Sequence, residues 1–427
     1  MAAHPSPSLR SPGDLLLTNV LVRGREGLVD IRVEQGRIAE VGPGLQPDPG
    51  TPTLDGEARP VLPGLVEPHL HLDKAMLDAR EPGDGTLAGA VATTARLKEG
   101  FTHDDVVARA EDVLRRAITH GTTLVRTPVD VDPTVGLTSI DAMLDVKQRW
   151  ADTVTLQVVA FPQEGIAARP GTDELLVEAL RRGVDVVGAC SYAEDDVEGC
   201  RDHLRRVFDL AERFDVPVDV HADFDVADST DPRHALAGEI AAMTAARGWG
   251  GRTTIGHFTT LAGYDKATEH ADREGRRRLI EDLAGAGVGV VVLPPTDLYL
   301  QGMTAPIADL LDGGVATSLS SNNIRNAFTP FGAADMLDVT LLAAHTQPFG
   351  TREGLDRLLD RATAGAAAML GMPGHDLAPG SRADLVVLDA PGADHHTALL
   401  DRAPRRHVIS NGRVVAQTRT TTTLHAP

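Results

Sequence analysis

Eight short apolar segments separated by stretches of helical periodicity constrain this chain more than any other feature. The segments are residues 61–66, 122–126, 153–161, 185–189, 217–221, 252–256, 287–293 and 315–319. The helical stretches include 105–120, 140–150, 173–182, 197–214, 233–247 and 276–286. Strand–helix alternation of this kind marks a parallel sheet whose crossovers are helices, and eight strands is the number that closes a (β/α)8 TIM-type barrel of the α/β class. At 427 residues the chain exceeds one small core. A barrel of about 250–300 residues beside a smaller module is the natural partition.

The two ends have a different texture. Residues 15–22, 30–33 and 37–41 read as short strands broken by turns such as Glu34-Gln35-Gly36. Residues 378–416 resume that pattern, with Asn411-Gly412 as a hairpin turn. Neither end makes a complete module alone, so the expectation is a disordered tail over 1–13, a composite β-sandwich from 14–60 and 378–420, and a barrel over 61–377. A formal charge of -20 argues against nucleic acid and anionic membranes as partners. No apolar run approaches the roughly 20 residues of a membrane helix, and residues 1–12 lack the apolar centre of a signal peptide, so the expected location is the cytoplasm. Homo-oligomers are possible, but no exposed stripe places an interface. Cys190 and Cys200 are the only cysteines, too few for a disulfide framework or the cysteine-rich zinc site of one deaminase class. The lysines are few (Lys74, Lys98, Lys147 and Lys266), and of these only Lys74 is read as mechanistic.

In such barrels the chemistry gathers where strands end. The first apolar run leads into His69-Leu70-His71, and extended alternation turns both imidazoles to one side. Two neutral imidazoles aimed at one point suit a divalent zinc or iron ion. The fifth segment ends at His221, a third candidate ligand, with Asp223 one strand period further. The sixth is followed by His257 and the eighth by Ser320-Ser321-Asn322-Asn323.

Glu67-Pro68-His69 with Leu72-Asp73-Lys74 resembles the amidohydrolase superfamily in its cytosine deaminase branch. Val158 to Gly165 (VVAFPQEG) and Leu300-Gln301-Gly302 extend the likeness, and Val125 to Asp130 (VRTPVD) is similar to the family's R-T-H-V-D with Pro128 in place of histidine. The Asp73-Lys74 pair is closer to N-isopropylammelide isopropylaminohydrolase. The resemblance implies that His69, His71 and His221 bind the metal, that His257 contacts substrate and the activated water, and that Gln163 reads the amide edge of a ring. Lys74 and Asn323 are further substrate contacts. Two positions depart from the pattern. Asn322 stands where the family has the aspartate that takes a proton from water, and Phe224 stands where cytosine deaminase has a glutamate that serves the ring nitrogen.

An amide oxygen can ligate a cation, but an amide accepts no proton at neutral pH. His257 and, second, Asp223 are therefore the expected bases. The expected activity is hydrolysis of a C–N bond of a small nitrogen heterocycle, such as a pyrimidine or triazine, with one zinc or iron ion. Two alternatives stay open on the same scaffold: non-hydrolytic or metal-free chemistry, and a binder without turnover.

Overall fold

The computed structural model describes residues 12–225, 231–263 and 270–425. Its fifteen strands are β1 (Leu15–Val22), β2 (Val29–Glu34), β3 (Arg37–Gly42), β4 (Thr53–Pro63), β5 (Leu65–Glu67), β6 (Thr122–Asp130), β7 (Thr155–Phe161), β8 (Val186–Cys190), β9 (Val218–Ala222), β10 (Thr253–His257), β11 (Val288–Val292), β12 (Thr317–Leu319), β13 (Leu385–Leu388), β14 (Arg405–Ser410) and β15 (Arg413–Gln417). Strands β5 to β12 pair in chain order, all parallel, as the eight-stranded sheet of a TIM-type barrel. The two chain ends meet in a separate seven-stranded sheet of order β15-β14-β13-β4-β1-β2-β3. The turn at Asn411-Gly412 joins β14 to β15 with both residues at positive φ, as the Asn-Gly pair favours. Of the tail expected over 1–13, residues 1–11 lie outside the described residues. Among the described residues no helix is long and apolar enough to cross a membrane.

The first apolar run corrects the sequence reading. Residues 61–66 are not one barrel strand. Val61–Pro63 ends β4 and pairs with β13 in the terminal sheet, and only Leu65–Glu67 enters the barrel. Gly64 makes the transfer: a Cβ there would lie 2.1 Å from the Thr123 hydroxyl, so the chain crosses between sheets where only glycine fits. The rest of β4 went unread because its outer half, Thr53-Leu54-Asp55-Gly56-Glu57-Ala58, is polar and carries two residues at positive φ, Glu57 and Ala58.

Because β5 and β12 are short, the barrel is closed largely by the residues just beyond their ends. Leu70 bridges Asn322 in parallel register, and the His71 amide donates to the Asn322 carbonyl at 2.9 Å. Beneath this seam lies Glu67, fully buried. Its carboxylate accepts from the hydroxyls of Ser320 and Ser321 and from the Ser321 amide at 3.0 Å. Burial pushes its pKa up, and the serine donors pull against that. Removing it strands the hydroxyl and amide of Ser321, whereas the Ser320 hydroxyl keeps the His69 carbonyl at 2.7 Å. Glu67→Ala is expected to lower stability by about 2–4 kcal/mol, read as the midpoint of urea unfolding; an unchanged midpoint would remove Glu67 from barrel closure.

Candidate active site

The four strand-end histidines converge. His69 and His71 lie just beyond β5, His221 lies in β9 and His257 ends β10, all at most 3 % exposed. One nitrogen from each of His69, His71 and His221 lies within 4.8 Å of the others, and the Nε2 atoms of His69 and His221 face each other at 2.6 Å. Gly256 makes room, since a Cβ there would sit 3.3 Å from the His221 ring and 3.5 Å from the His69 ring. Asp219, one strand period before His221, places Oδ2 3.3 Å from His69 Nδ1. The contact is one of charge and not a hydrogen bond, since neither His69 Nδ1 nor either Asp219 oxygen has a hydrogen-bond partner among the described residues, and a carboxylate so placed favours the proton on Nδ1 and the lone pair on Nε2. Burial first, then the neighbouring rings and Lys74, hold His71 and His221 well below the ordinary histidine pKa, in the neutral form that ligates.

The donor set fits a divalent cation on a further count. The Asn322 side-chain oxygen is buried without a hydrogen-bond partner on the wall of the same cavity. A second cluster, Asp356, His395 and His396, also has ligand-type spacing. There Arg23 lies 3.3 Å from Asp356 Oδ1 and Arg352 lies 2.9 Å from His396 Nδ1, so cations of the chain itself already occupy it.

His257 stands at the edge of the cluster, its ring 4.7 Å from that of His221 and 4.1 Å from that of Phe224. Its Nδ1 lies 2.7 Å from Oδ1 of Asp297, whose Oδ2 accepts from the Leu293 amide at 3.1 Å. Burial lowers the His257 pKa against the pull of Asp297, and burial raises that of Asp297. His257 (φ 76°) and Asn322 (φ 60°) both hold left-handed backbone, unusual for a histidine and common where a site fixes side-chain direction. Asp297 escaped the sequence reading, which weighed only Leu300-Gln301-Gly302 at the end of the helix Pro294–Gln301 that follows β11. The available signal was a carboxylate four residues beyond Leu293, just past the seventh strand.

Gln163, Lys74, Asn322 and Asn323 line one cavity with His71, His221 and His257. Lys74 is buried, with Nζ 2.9 Å from both Asp130 Oδ1 and Gln163 Oε1. Behind it Lys98, dismissed on composition, is also buried, bonded to Asp132 at 2.6 Å, Glu164 at 2.5 Å and Asp130 at 3.2 Å. Burial lowers its pKa, but the three carboxylates outweigh that and raise it. Burial likewise pushes Asp130 up, while Lys74 and Lys98 outweigh it and hold Asp130 low.

Asp223 is the correction. Its backbone turns at φ 52°, ending the extended alternation that would have aimed it inward. Its two oxygens instead accept from the amides of Leu236 (2.8 Å) and Ala237 (3.0 Å) at the start of the helix Ala237–Arg247. It does not line the cavity. Burial raises its pKa to about 6.

The amidohydrolase family model matches residues 61–415. This chain belongs to the amidohydrolase family. It is 28% identical over 419 residues to N-isopropylammelide isopropyl amidohydrolase of Pseudomonas sp. (strain ADP), covering 95% of this chain and 97% of that protein. Crystal structures of 5-methylcytosine deaminase from Klebsiella pneumoniae with 5-fluorocytosine (28% identity, TM-score 0.86, 96% of this chain and 99% of that one) and of N-isopropylammelide isopropylaminohydrolase from Burkholderia multivorans (32%, TM-score 0.81, 95% and 98%) are similar to it throughout. The branch of the family read from Glu67-Pro68-His69 and Asp73-Lys74 is the one these amidohydrolase relatives occupy, and the relatives are hydrolases of C–N bonds.

With Asp223 serving the helix start, Asp223→Ala should cost about 1–2 kcal/mol of stability with bound metal per chain unchanged. Loss of metal with no loss of stability would return Asp223 to the site.

Proposed function

We propose that this amidohydrolase is a metal-dependent enzyme that hydrolyses a C–N bond of a small nitrogen heterocycle. Its zinc or iron ion is held by His69, His71 and His221, with Asn322 completing or bordering the sphere. The observation that carries this reading is the convergence of three buried imidazoles beside a cavity lined by His71, His221, His257 and Asn322, whose side-chain oxygen is orphaned, with Asp297 bonded to His257. An ion held there by three neutral histidines would supply a Lewis acid able to lower the pKa of water to about 7.

The chain's own residues then carry the protons. Asn322 accepts none. His257 donates Nδ1–H to Asp297, which leaves Nε2 as a base and stabilises the ring once it is protonated. The same nitrogen can return that proton to the departing amine. The carboxylate missing at Asn322 is thus replaced by one beneath the histidine. Phe224 covers the other face of the His257 ring and keeps water from it. Gln163, Lys74 and Asn323 hold the far side of the substrate ring.

The test is release of ammonia or amine from aminopyrimidines, aminotriazines and pterins by the purified protein, before and after chelation. Turnover should vanish with the metal and return with zinc or iron. Turnover indifferent to chelation would refute the metal-dependent reading and favour other chemistry on the same barrel. His257→Ala should cut kcat by about 10²–10⁴-fold while metal content holds. Asp297→Asn should lower kcat with little change in KM, since it alters the histidine and not the ring contacts; equal kcat in either variant would take that residue out of proton transfer. Asn322→Asp should retain bound metal, and loss of the metal would show that the amide oxygen is required.

A further inference from the structure

Lys98 does not line the cavity, yet two residues that do, Lys74 and Gln163, are tied to carboxylates that it holds. It is the last residue of the helix Leu87–Lys98 and is 1 % exposed. Its Nζ lies 2.6 Å from Asp132 Oδ2, 2.5 Å from Glu164 Oε1 and 3.2 Å from Asp130 Oδ2. Asp130 ends β6, Asp132 follows it and Glu164 lies just beyond β7, so one ammonium joins a helix to the ends of two barrel strands. The other oxygen of Asp130 accepts from Lys74 at 2.9 Å. Glu164 follows Gln163, whose Oε1 lies 2.9 Å from the same Lys74 Nζ.

The three carboxylates do not depend on Lys98 equally. Asp132 Oδ1 also accepts from the amides of Thr134 (2.7 Å) and Val135 (3.2 Å). Glu164 Oε2 also accepts from Arg169 at 2.9 Å. Asp130 Oδ2 makes no well-aligned hydrogen bond among the described residues, and the cation facing it is Lys98. Without Lys98 this oxygen is therefore the one left with an uncompensated charge in a buried site, which is costly. The other cation bonded to Asp130 is Lys74. The terminal torsion of an aspartate is soft, so the carboxylate can turn both oxygens toward that ammonium. Lys74 has three N–H groups; a second one given to Asp130 is taken from Gln163 or from the cavity.

We propose that Lys98 is a positioning residue of this site: by engaging Asp130 Oδ2 it confines Asp130 to one bond with Lys74, and so keeps the Lys74 ammonium on Gln163 and at the cavity. The proposal rests on the reading of that cavity as the substrate site. Lys98 itself meets no substrate.

The chain has four lysines, Lys74, Lys98, Lys147 and Lys266, which makes the test direct. Protein grown on lysine labelled at 15Nζ and 13Cε gives four side-chain NMR signals, and Lys74→Met assigns that of Lys74. In the zinc-loaded, full-length protein, Lys98→Met should move the Lys74 signal, and Lys98→Arg, which restores a cation, should return it. Asp132→Asn removes a different partner of Lys98 and should leave the signal in place. If Lys98→Met does not fold, Lys98→Gln, whose amide still donates to a carboxylate but carries no charge, is read in its place. A Lys74 signal unmoved by loss of the Lys98 charge, not returned by arginine, or moved as far by Asp132→Asn overturns the proposal. On whichever aminopyrimidine, aminotriazine or pterin is turned over, the same neutral variant should raise KM about tenfold or more with kcat within about twofold. An unchanged KM, or a loss confined to kcat, overturns it too. The NMR reading needs no turnover, so a Lys74 signal that follows Lys98 in a protein that cleaves nothing would refute the proposed reaction and leave this inference standing. Turnover with an unmoved signal would do the reverse.

Discussion

Desolvation of the imidazole cluster is the constraint to which the rest of the site answers. Three rings are packed at the mouth of the barrel, walled by Phe161 and by one another, and burial holds the pKa values of His71 and His221 low, so that their lone pairs stay available. Neutral rings pressed together in this way need a positive centre or a set of directed protons. Two carboxylates lie behind the histidines: Asp219 Oδ2 is 3.3 Å from His69 Nδ1, and Asp297 bonds His257 Nδ1 at 2.7 Å. The barrel places both carboxylates without loops. Asp219 lies on the same face of β9 as His221, and Asp297 sits shortly after the end of β11.

Acids absent from two positions of a cavity change its electrostatics as well as its proton chemistry. With Asn322 and Phe224 in place of carboxylates, the wall contains histidines, amides and one lysine. The negative charges remain one layer back. Asp130, Asp132 and Glu164 surround Lys98, and Asp130 also holds Lys74, so the ammonium at the wall is anchored by a buried lattice of opposite charges. Such buried pairs add little net stability, but they fix one geometry, because any rotation leaves a charge unpartnered. Fixing Lys74 fixes Gln163, whose side-chain oxygen it bonds at 2.9 Å.

The legible part of the sequence came from strand period and strand order. Eight apolar segments located the barrel, and His69, His71, His221 and His257 were found because chemistry in this fold sits where strands end. The reading failed where local backbone departs from that rule. Residues 61–66 look like one strand because apolar character cannot show that Gly64 hands the chain from one sheet to another. Asp223 looked like an inward residue because alternation was extended one step past the point where φ turns positive. Asp297 and Lys98 were missed for a different reason: each acts through a partner distant in sequence, His257 for one and Asp130, Asp132 and Glu164 for the other. No periodicity links such pairs.

The central claim is that three imidazoles share one cation. X-ray absorption at the zinc edge of the reconstituted protein tests it most directly. The account predicts a first shell with three imidazole nitrogens at about 2.0–2.1 Å, falling to two when His221 is replaced by alanine. A shell of oxygen ligands alone, or one that His221→Ala leaves unchanged, would contradict it.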